Sequence, residues 1–206
     1  DNTYIIYTSD NGSVPIMPPK RFYKEGYNYP LSRGKWDANE GGIRVPFIVV
    51  GPGIENDVES KSIISFSDIL PTIIDLAGKK IKDNKNLDGG SLKAVFKNHN
   101  KTKVKRSHEG LFFHVPYENG IALKRAHSAV ILENFKLIKF YDNGQLMLFD
   151  LDKDLSEKID LSSVNLNKTL ELELLLDNYL KQVGAPKWKP GIHWRNKPIK
   201  LINSFH

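Results

Sequence analysis

Apolar residues are arranged along this chain in three ways, and each way predicts a different element. Tyr4-Ile5-Ile6-Tyr7 is a short unbroken apolar run that stops at Thr8-Ser9-Asp10-Asn11-Gly12. Ile43 to Val50 is a second such run, rich in β-branched residues and closed by Gly51-Pro52-Gly53. Both read as strands of the buried type. Between them, Ser13 to Asn39 carries Pro15, Pro18, Pro19 and Pro30, the aromatics Phe22, Tyr23, Tyr27 and Tyr29, and no period. This is a long loop, and loops of such length inside a compact domain usually carry function or lack order. Asp68 to Gly78 then predicts a helix, with Ser67 as its cap, Pro71 in its first turns and Gly78 at its end.

Beyond residue 107 the pattern changes. Gly110 to Val115, Ser128 to Leu132, Phe135 to Tyr141 and Gln145 to Asp150 are strand candidates, with Glu133-Asn134 and Asp142-Asn143-Gly144 as tight turns between them. They predict an antiparallel meander. From Leu166 to Val183, Leu170, Leu172, Leu174, Leu175, Leu176, Tyr179 and Leu180 give one broad apolar face to a long helix, which covers one face of that sheet. The predicted class is therefore α/β followed by α+β: a mixed-sheet portion over 1–106, and over 107–206 an antiparallel-sheet subdomain with a helix and an irregular basic tail from Lys187 to His206.

Composition narrows this little. The chain has 206 residues, 40% of them hydrophobic and 26% charged, which is enough to bury a core. No apolar stretch reaches the ~18 residues that a membrane span needs, and no signal-peptide pattern opens the chain. The absence of cysteine excludes disulfides, thiol nucleophiles and thiolate metal ligands, so a metal here must use oxygen or imidazole. The net charge of +6 is concentrated: Lys79 to Arg106 holds ten Lys or Arg against Asp83 and Asp88, and 185–206 holds five without an acid. Such surfaces attract polyanions, though solvated lysine-rich loops have the same composition. No nucleic-acid-binding motif accompanies them.

Three places carry candidate chemistry. Asp10 and Asn11 set a carboxylate beside an amide oxygen where a strand stops, a pairing that suits Ca²⁺ or Mg²⁺ and equally suits an Asx turn. Lys35, in Gly34-Lys35-Trp36-Asp37-Ala38-Asn39-Glu40-Gly41-Gly42-Ile43-Arg44-Val45-Pro46, is a compact cation able to meet a tetrahedral oxyanion, or a solvated lysine. Glu40 and Arg44, four apart across the Gly-Gly turn, read as a structural ion pair. His114, ending an aromatic run, and His127 are candidates for substrate contact or for buried, satisfied histidines. His99, His108, His193 and His206 have no assigned role.

Taken in order, Ser-Asp-Asn-Gly after a strand, Gly-Lys-x-x-x-x-Glu-Gly-Gly-Ile-Arg-Val-Pro, Asp-Ile-Leu-Pro-Thr-Ile-Ile-Asp-Leu-Ala-Gly and Leu87-Asp88-Gly89 resemble the second half of a type I sulfatase of the alkaline-phosphatase-like superfamily. Leu-Phe-Phe-His-Val-Pro, Phe135-Lys136-Leu137-Ile138 and Leu148-Phe149-Asp150-Leu151 through Ser156-Glu157-Lys158 resemble that family's C-terminal subdomain. The likeness covers nearly 3–185. It implies that Asp10 and Asn11 complete a Ca²⁺ site (Mg²⁺ in some members) whose other carboxylates precede this chain, and that Lys35 contacts the sulfate. It implies a hydrated formylglycine nucleophile, made from Cys or Ser in a C/S-x-P-x-R motif, that attacks sulfur while a general acid assists the departing alcohol. The substrate class implied is a sulfated small molecule or glycan, with His114, His127 and the aromatic loop Phe22 to Tyr29 lining a sugar pocket; the location implied is periplasmic, secreted or lysosomal.

One departure is decisive. The nearest string to the motif, Ser13-Val14-Pro15-Ile16-Met17, has Met in place of Arg and follows Asp10-Asn11 instead of preceding it. The chain thus reads as the C-terminal portion of a sulfatase, its partner being the missing N-terminal half, and as inert alone. A phosphoesterase or phosphonate hydrolase of the same superfamily, and a non-catalytic polyanion- or glycan-binding module, are the other readings that these residues leave open.

Overall fold

The computed structural model describes residues 2–14, 28–80, 87–98, 102–118 and 125–189. Phe22, Tyr23 and Tyr27 of the aromatic loop, His99, most of the basic tail with His193 and His206, and parts of the Lys79–Arg106 segment lie outside these residues. No helix among the described residues is long and apolar enough to cross a membrane. The chain forms two compact units: residues 1–9 with 46–111, and residues 10–45 with 112–206. The long loop after the first strand therefore groups with the C-terminal sheet.

In the first unit, β1 (Ile5–Thr8) and β2 (Phe47–Val50) form an antiparallel pair, with Ile5 opposite Val50 and Thr8 opposite Phe47. Both strands alternate, which corrects the buried-type reading: Ile5, Tyr7, Ile48 and Val50 share an exposed face, while Phe47 and Val49 pack on a core of Leu92, Val95, Phe96 and Val104. The second run also begins as a strand later than its apolar pattern predicts. Its Ile43 closes a single helical turn, α1 (Glu40–Ile43), and Pro46, which has no N–H to give a ladder, precedes β2. Helix α2 (Ile69–Leu76) follows a tight helical turn over Phe66–Asp68. Ser65, not Ser67, caps that turn: its Oγ accepts from within the turn, and Asp68 Oδ2 accepts from the Ser65 N–H at 2.7 Å, closing a capping box. Asp68 is fully buried and also accepts from Gly90 N at 2.9 Å and from the Arg106 guanidinium at 2.6 Å. A short helix, α3 (Lys93–Lys97), escaped the sequence reading.

The second unit is built on a sheet in the order β3 (Leu111–Val115), β4 (His127–Leu132), β5 (Phe135–Phe140), β6 (Leu146–Asp150). Glu133 takes φ 56° in the β4–β5 turn and Gly144 takes φ 71° in the β5–β6 turn, the left-handed conformations that tight hairpins demand. Helix α4 (Leu166–Gln182) packs on one face, where Leu172 and Leu176 meet Val130, Leu137 and Leu148. Leu170 and Leu174 stay more than 60% exposed, so the buried stripe is narrower than the leucine count implies. On the other face, Ala129, Ile138, Phe140 and Phe149 close over Ala38. That second cover is the loop around residues 32–43.

Alternation along β5 puts Leu137 and Lys139 toward α4 and Lys136 and Ile138 toward the loop. Lys136 is fully buried, with its ammonium 3.0 Å from Glu40 Oε1 and 2.8 Å from Glu157 Oε1. Glu157 Oε2 accepts in turn from the Glu40 N–H at 2.8 Å and from Asn39 Nδ2 at 3.2 Å. Burial pushes the Glu157 carboxyl up, against the pull of the Lys136 charge. The Glu40–Arg44 pair expected from sequence is present at 3.2 Å. His127 adds a second tie: its Nδ1–H donates to Arg125 O at 2.7 Å, leaving Nε2 to accept from the Ala38 N–H at 3.0 Å.

Two outcomes follow for urea unfolding of the 206-residue protein. Lys136→Met strands two buried carboxylates and should cost about 3–5 kcal/mol; adding Glu40→Gln and Glu157→Gln should recover part of that loss, and a Lys136→Met protein within about 1 kcal/mol of wild type would refute the bridge. His127 is held below its ordinary 6.5, chiefly by burial. The unfolded chain therefore takes up this proton first, and stability should fall as pH drops through about 6.5 toward 5, by at most about 1.4 kcal/mol per pH unit. His127→Gln, whose amide oxygen can still accept from Ala38, should flatten that fall; an unchanged slope assigns the pH dependence elsewhere.

Candidate functional site

Two stretches of backbone adjoin where the sequence places its candidate residues. Gly12 N–H donates to Gly42 O at 2.9 Å, and Lys35 N–H donates to Ser13 O at 3.0 Å. Asn28 cements the junction, its Oδ1 accepting from Ser13 N and its Nδ2 donating to the carbonyls of Ser13 and Arg33. The approach is too close for any side chain at Gly12, whose Cβ would lie 1.6 Å from Gly41 O. Glycine is required here for contact, a stronger reason than turn formation. Asp10 and Asn11 therefore stand three and two residues before Ser13, whose carbonyl accepts from the Lys35 N–H.

The loop that carries Lys35 is rigidly specified. Residues 37–42 are all buried. Arg33 and Trp36 both take positive φ, at 62° and 78°, which for a bulky tryptophan is a costly backbone state that only a well-determined surrounding sustains. Arg33 Nε bonds Asp37 Oδ2 at 2.6 Å, and the Lys35 ammonium lies 5.6 Å from the Trp36 ring centre. Lys35 itself keeps partial exposure, so a cation at a protein–water boundary sits on an immobilised backbone.

At the other pair, the Asn11 Nδ2 donates to Asp10 Oδ1 at 2.9 Å. Turning that amide over would set two oxygens side by side, an arrangement that a hard cation stabilises. The donor types therefore fit a Ca²⁺ or Mg²⁺ ion, which is held by oxygen. They are too few to hold it alone: among the described residues, no cluster of three His, Asp or Glu side chains has metal-binding geometry.

The two histidines separate in role. His127 is buried and both its nitrogens are committed to backbone groups, so its geometry is that of a residue holding Ala38. His114 is partly exposed; Nε2–H donates to Pro186 O at 2.7 Å, and Nδ1 meets Ser128 Oγ at 2.6 Å, which in turn meets the Tyr141 hydroxyl at 2.6 Å. Sequence reasoning missed Lys136 and Glu157 as determinants of the loop. A lysine inside an apolar strand was the available signal for Lys136; Glu157 offered none.

The family of N-sulphoglucosamine sulphohydrolase, C-terminal, matches residues 35–183. A sulfatase from Formosa agariphila is 30% identical over 88% of this chain and 32% of its own length, and arylsulfatase K from Bos taurus is 29% identical over 95% of this chain and 33% of its own. The chain spans about a third of the length of these curated relatives. Among solved structures, that of BT4656 in complex with its substrate D-glucosamine-2-N,6-O-disulfate is 25% identical, with a TM-score of 0.63 over 88% of this chain and 34% of that one. The site geometry is thus found in a chain that belongs to the N-sulphoglucosamine sulphohydrolase C-terminal family and resembles the C-terminal portion of a type I sulfatase.

Proposed function

We propose that this chain supplies the C-terminal half of the active site of a sulfatase that hydrolyses sulfate esters of a sugar or glycan. The observation that carries the reading is the junction between Gly12-Ser13 and the Gly34–Gly42 loop, which sets the Asp10–Asn11 oxygens and the Lys35 ammonium on adjoining, hydrogen-bonded backbone. A sulfated sugar is the substrate class supported by the kinship with BT4656, crystallised with a glucosamine disulfate.

In this reading Asp10 and Asn11 turn their oxygens to a Ca²⁺ ion, or Mg²⁺, whose remaining ligands come from outside this chain. The bound ion supplies positive charge to the sulfuryl oxygens. Lys35 donates hydrogen bonds to a sulfuryl oxygen and holds the negative charge of the sulfuryl group as the nucleophile attacks sulfur, while the electron pair of the breaking S–O bond leaves with the alcohol oxygen. The buried loop adds preorganisation: because Asp37 to Gly42 cannot shift without exposing Lys136, the backbone of Lys35 needs no rearrangement at the moment of reaction. The nucleophile, a formylglycine by family resemblance, lies outside this chain, so the isolated 206 residues are inert. A periplasmic, secreted or lysosomal location is the one this kinship supports.

The test is turnover of a chromogenic sulfate ester by these residues expressed with their natural upstream sequence. Lys35→Ala should lower kcat/KM by about 10²–10³-fold, the usual cost of one oxyanion donor. Asp10→Ala should raise the calcium concentration needed for half-maximal activity. Unchanged kinetics in both variants would remove these residues from the chemistry, and turnover by the 206-residue chain alone would place the nucleophile within it.

A further inference from the structure

Ten Lys or Arg crowd the stretch from Lys79 to Arg106, and the first unit disposes of them in two ways. Arg106 and Lys93 are spent inside the fold. The Arg106 guanidinium meets the buried Asp68 carboxylate at 2.6 and 2.9 Å, and the Lys93 ammonium lies 3.1 Å from Asp75 Oδ1, tying α3 to α2. Lys79, Lys80, Lys97, Lys103 and Lys105 are exposed, and none of these five pairs with an acid among the described residues.

Packing gathers the five around α3. Lys97 is the last residue of that helix, and its charge adds, after the Ser91 hydroxyl and Lys93, to what holds the Asp75 carboxyl below its ordinary range. Thr102 Oγ1 donates to Asn98 O at 2.9 Å as the chain turns back from α3. The returning backbone passes so near Gly90 that a Cβ there would lie 2.0 Å from Lys105 O. Val104 is buried with Leu92, Val95 and Phe96, so its exposed neighbours Lys103 and Lys105 are turned outward. Leu76, at the end of α2, packs on the same cluster, and the Lys79 N–H donates to Ile74 O at 3.0 Å just beyond it. Lys79 and Lys80 therefore leave the fold beside α3 as well.

We propose that these five lysines form a binding surface for a linear polysaccharide carrying repeated sulfate groups. The surface goes beyond the hydrolysis of one ester, while the choice of a sulfated glycan among polyanions rests on the sulfatase reading. Exposed ammonium groups without partners meet an anion at little cost, since no internal ion pair has to break and each flexible stem can reach a separate sulfate. Single contacts of this kind are weak, but a polymer with regularly spaced anions makes several at once. Like charges around one short helix also repel one another, and a polyanion relieves that repulsion. Nucleic acid fits less well: among the described residues of 79–106 the one aromatic side chain, Phe96, is buried, so no platform is offered to a base.

The experiment titrates the 206-residue protein with a heparin decasaccharide at low and at physiological salt. Binding should weaken steeply as salt rises. The triple variant Lys97→Gln, Lys103→Gln, Lys105→Gln should lose about tenfold in affinity, and arginine at the same three positions should keep it. A control with the same change in net charge, Lys158→Gln, Lys181→Gln, Lys187→Gln in the second unit, should lose less than about threefold. The substituted lysines hold no acid partner in the fold, so urea unfolding should show every variant as stable as wild type. Equal losses in the two glutamine triples would reduce the effect to net charge and overturn the surface, as would no binding at low salt. Desulfated heparin, or an oligothymidylate of matched charge, binding as tightly as the decasaccharide would overturn the sulfated polysaccharide as the partner. Tighter capture by phosphatidylserine vesicles, dependent on the same three lysines, would overturn it in favour of a membrane. None of these outcomes touches turnover of the chromogenic ester, so failure of the surface leaves the sulfatase reading standing. A failed ester test, in turn, leaves the heparin and desulfated-heparin arms to decide the surface alone.

Discussion

A fully buried ammonium must be matched by negative charge, and in this protein the match is made between residues far apart in the chain. Lys136 leaves β5 on the face opposite α4 and finds Glu40 and Glu157, one from the loop and one from the turn after β6. The loop's own amides then spend their hydrogen-bonding capacity on the same Glu157. Such a bridge contributes little net stability compared with an apolar core of equal volume, but it penalises every arrangement in which one partner is missing. That penalty is what fixes the loop on the sheet. The register of β5 matters equally, since a slip of one residue would turn Lys136 toward α4 and leave the carboxylates bare.

Rigidity of this kind has a chemical use. A lysine's stem is flexible, and an ammonium placed on a mobile loop would have to be ordered anew at each encounter with an anion. Here the ordering is done during folding, by Lys136, by His127 on Ala38, and by the glycine contacts between Gly12 and Gly41. The positive φ angles at Arg33 and Trp36 are sustained by the same surroundings. The loop thus holds strained backbone and a buried charge cluster close to the residues proposed to meet sulfate, consistent with the tendency of strain to gather at functional sites.

The four strands of the C-terminal sheet were legible to within a residue, because short apolar runs and the turn residues that bound them, such as Asn134 and Gly144, are local signals. The single turn Glu40–Ile43 and the Ser65 cap were misread for the opposite reason: each depends on what a nearby side chain does, the capping box needing Asp68 to reach back. Asp10, Asn11 and Lys35 could be named from motif resemblance, yet nothing near them in sequence says that their backbones adjoin. That information resides in glycines, which carry no side chain to pattern. The helix-covered face of the sheet was foreseen from leucine spacing; the loop-covered face, built by Ala38 and polar partners, has no periodic signature.

The division of the chain into units follows from that second cover. Residues 10–45 fold with 112–206, while 46–111 fold with the first nine. The unit of exchange in this protein is therefore discontinuous in the gene. A chimera that swapped only the contiguous C-terminal segment between relatives would import Lys136 and Glu157 from one lineage and keep Glu40 and the Lys35 loop from another. Recombination that respects the architecture needs two crossovers around the loop and a third before β3, so that Glu40, Lys136 and Glu157 arrive from one source.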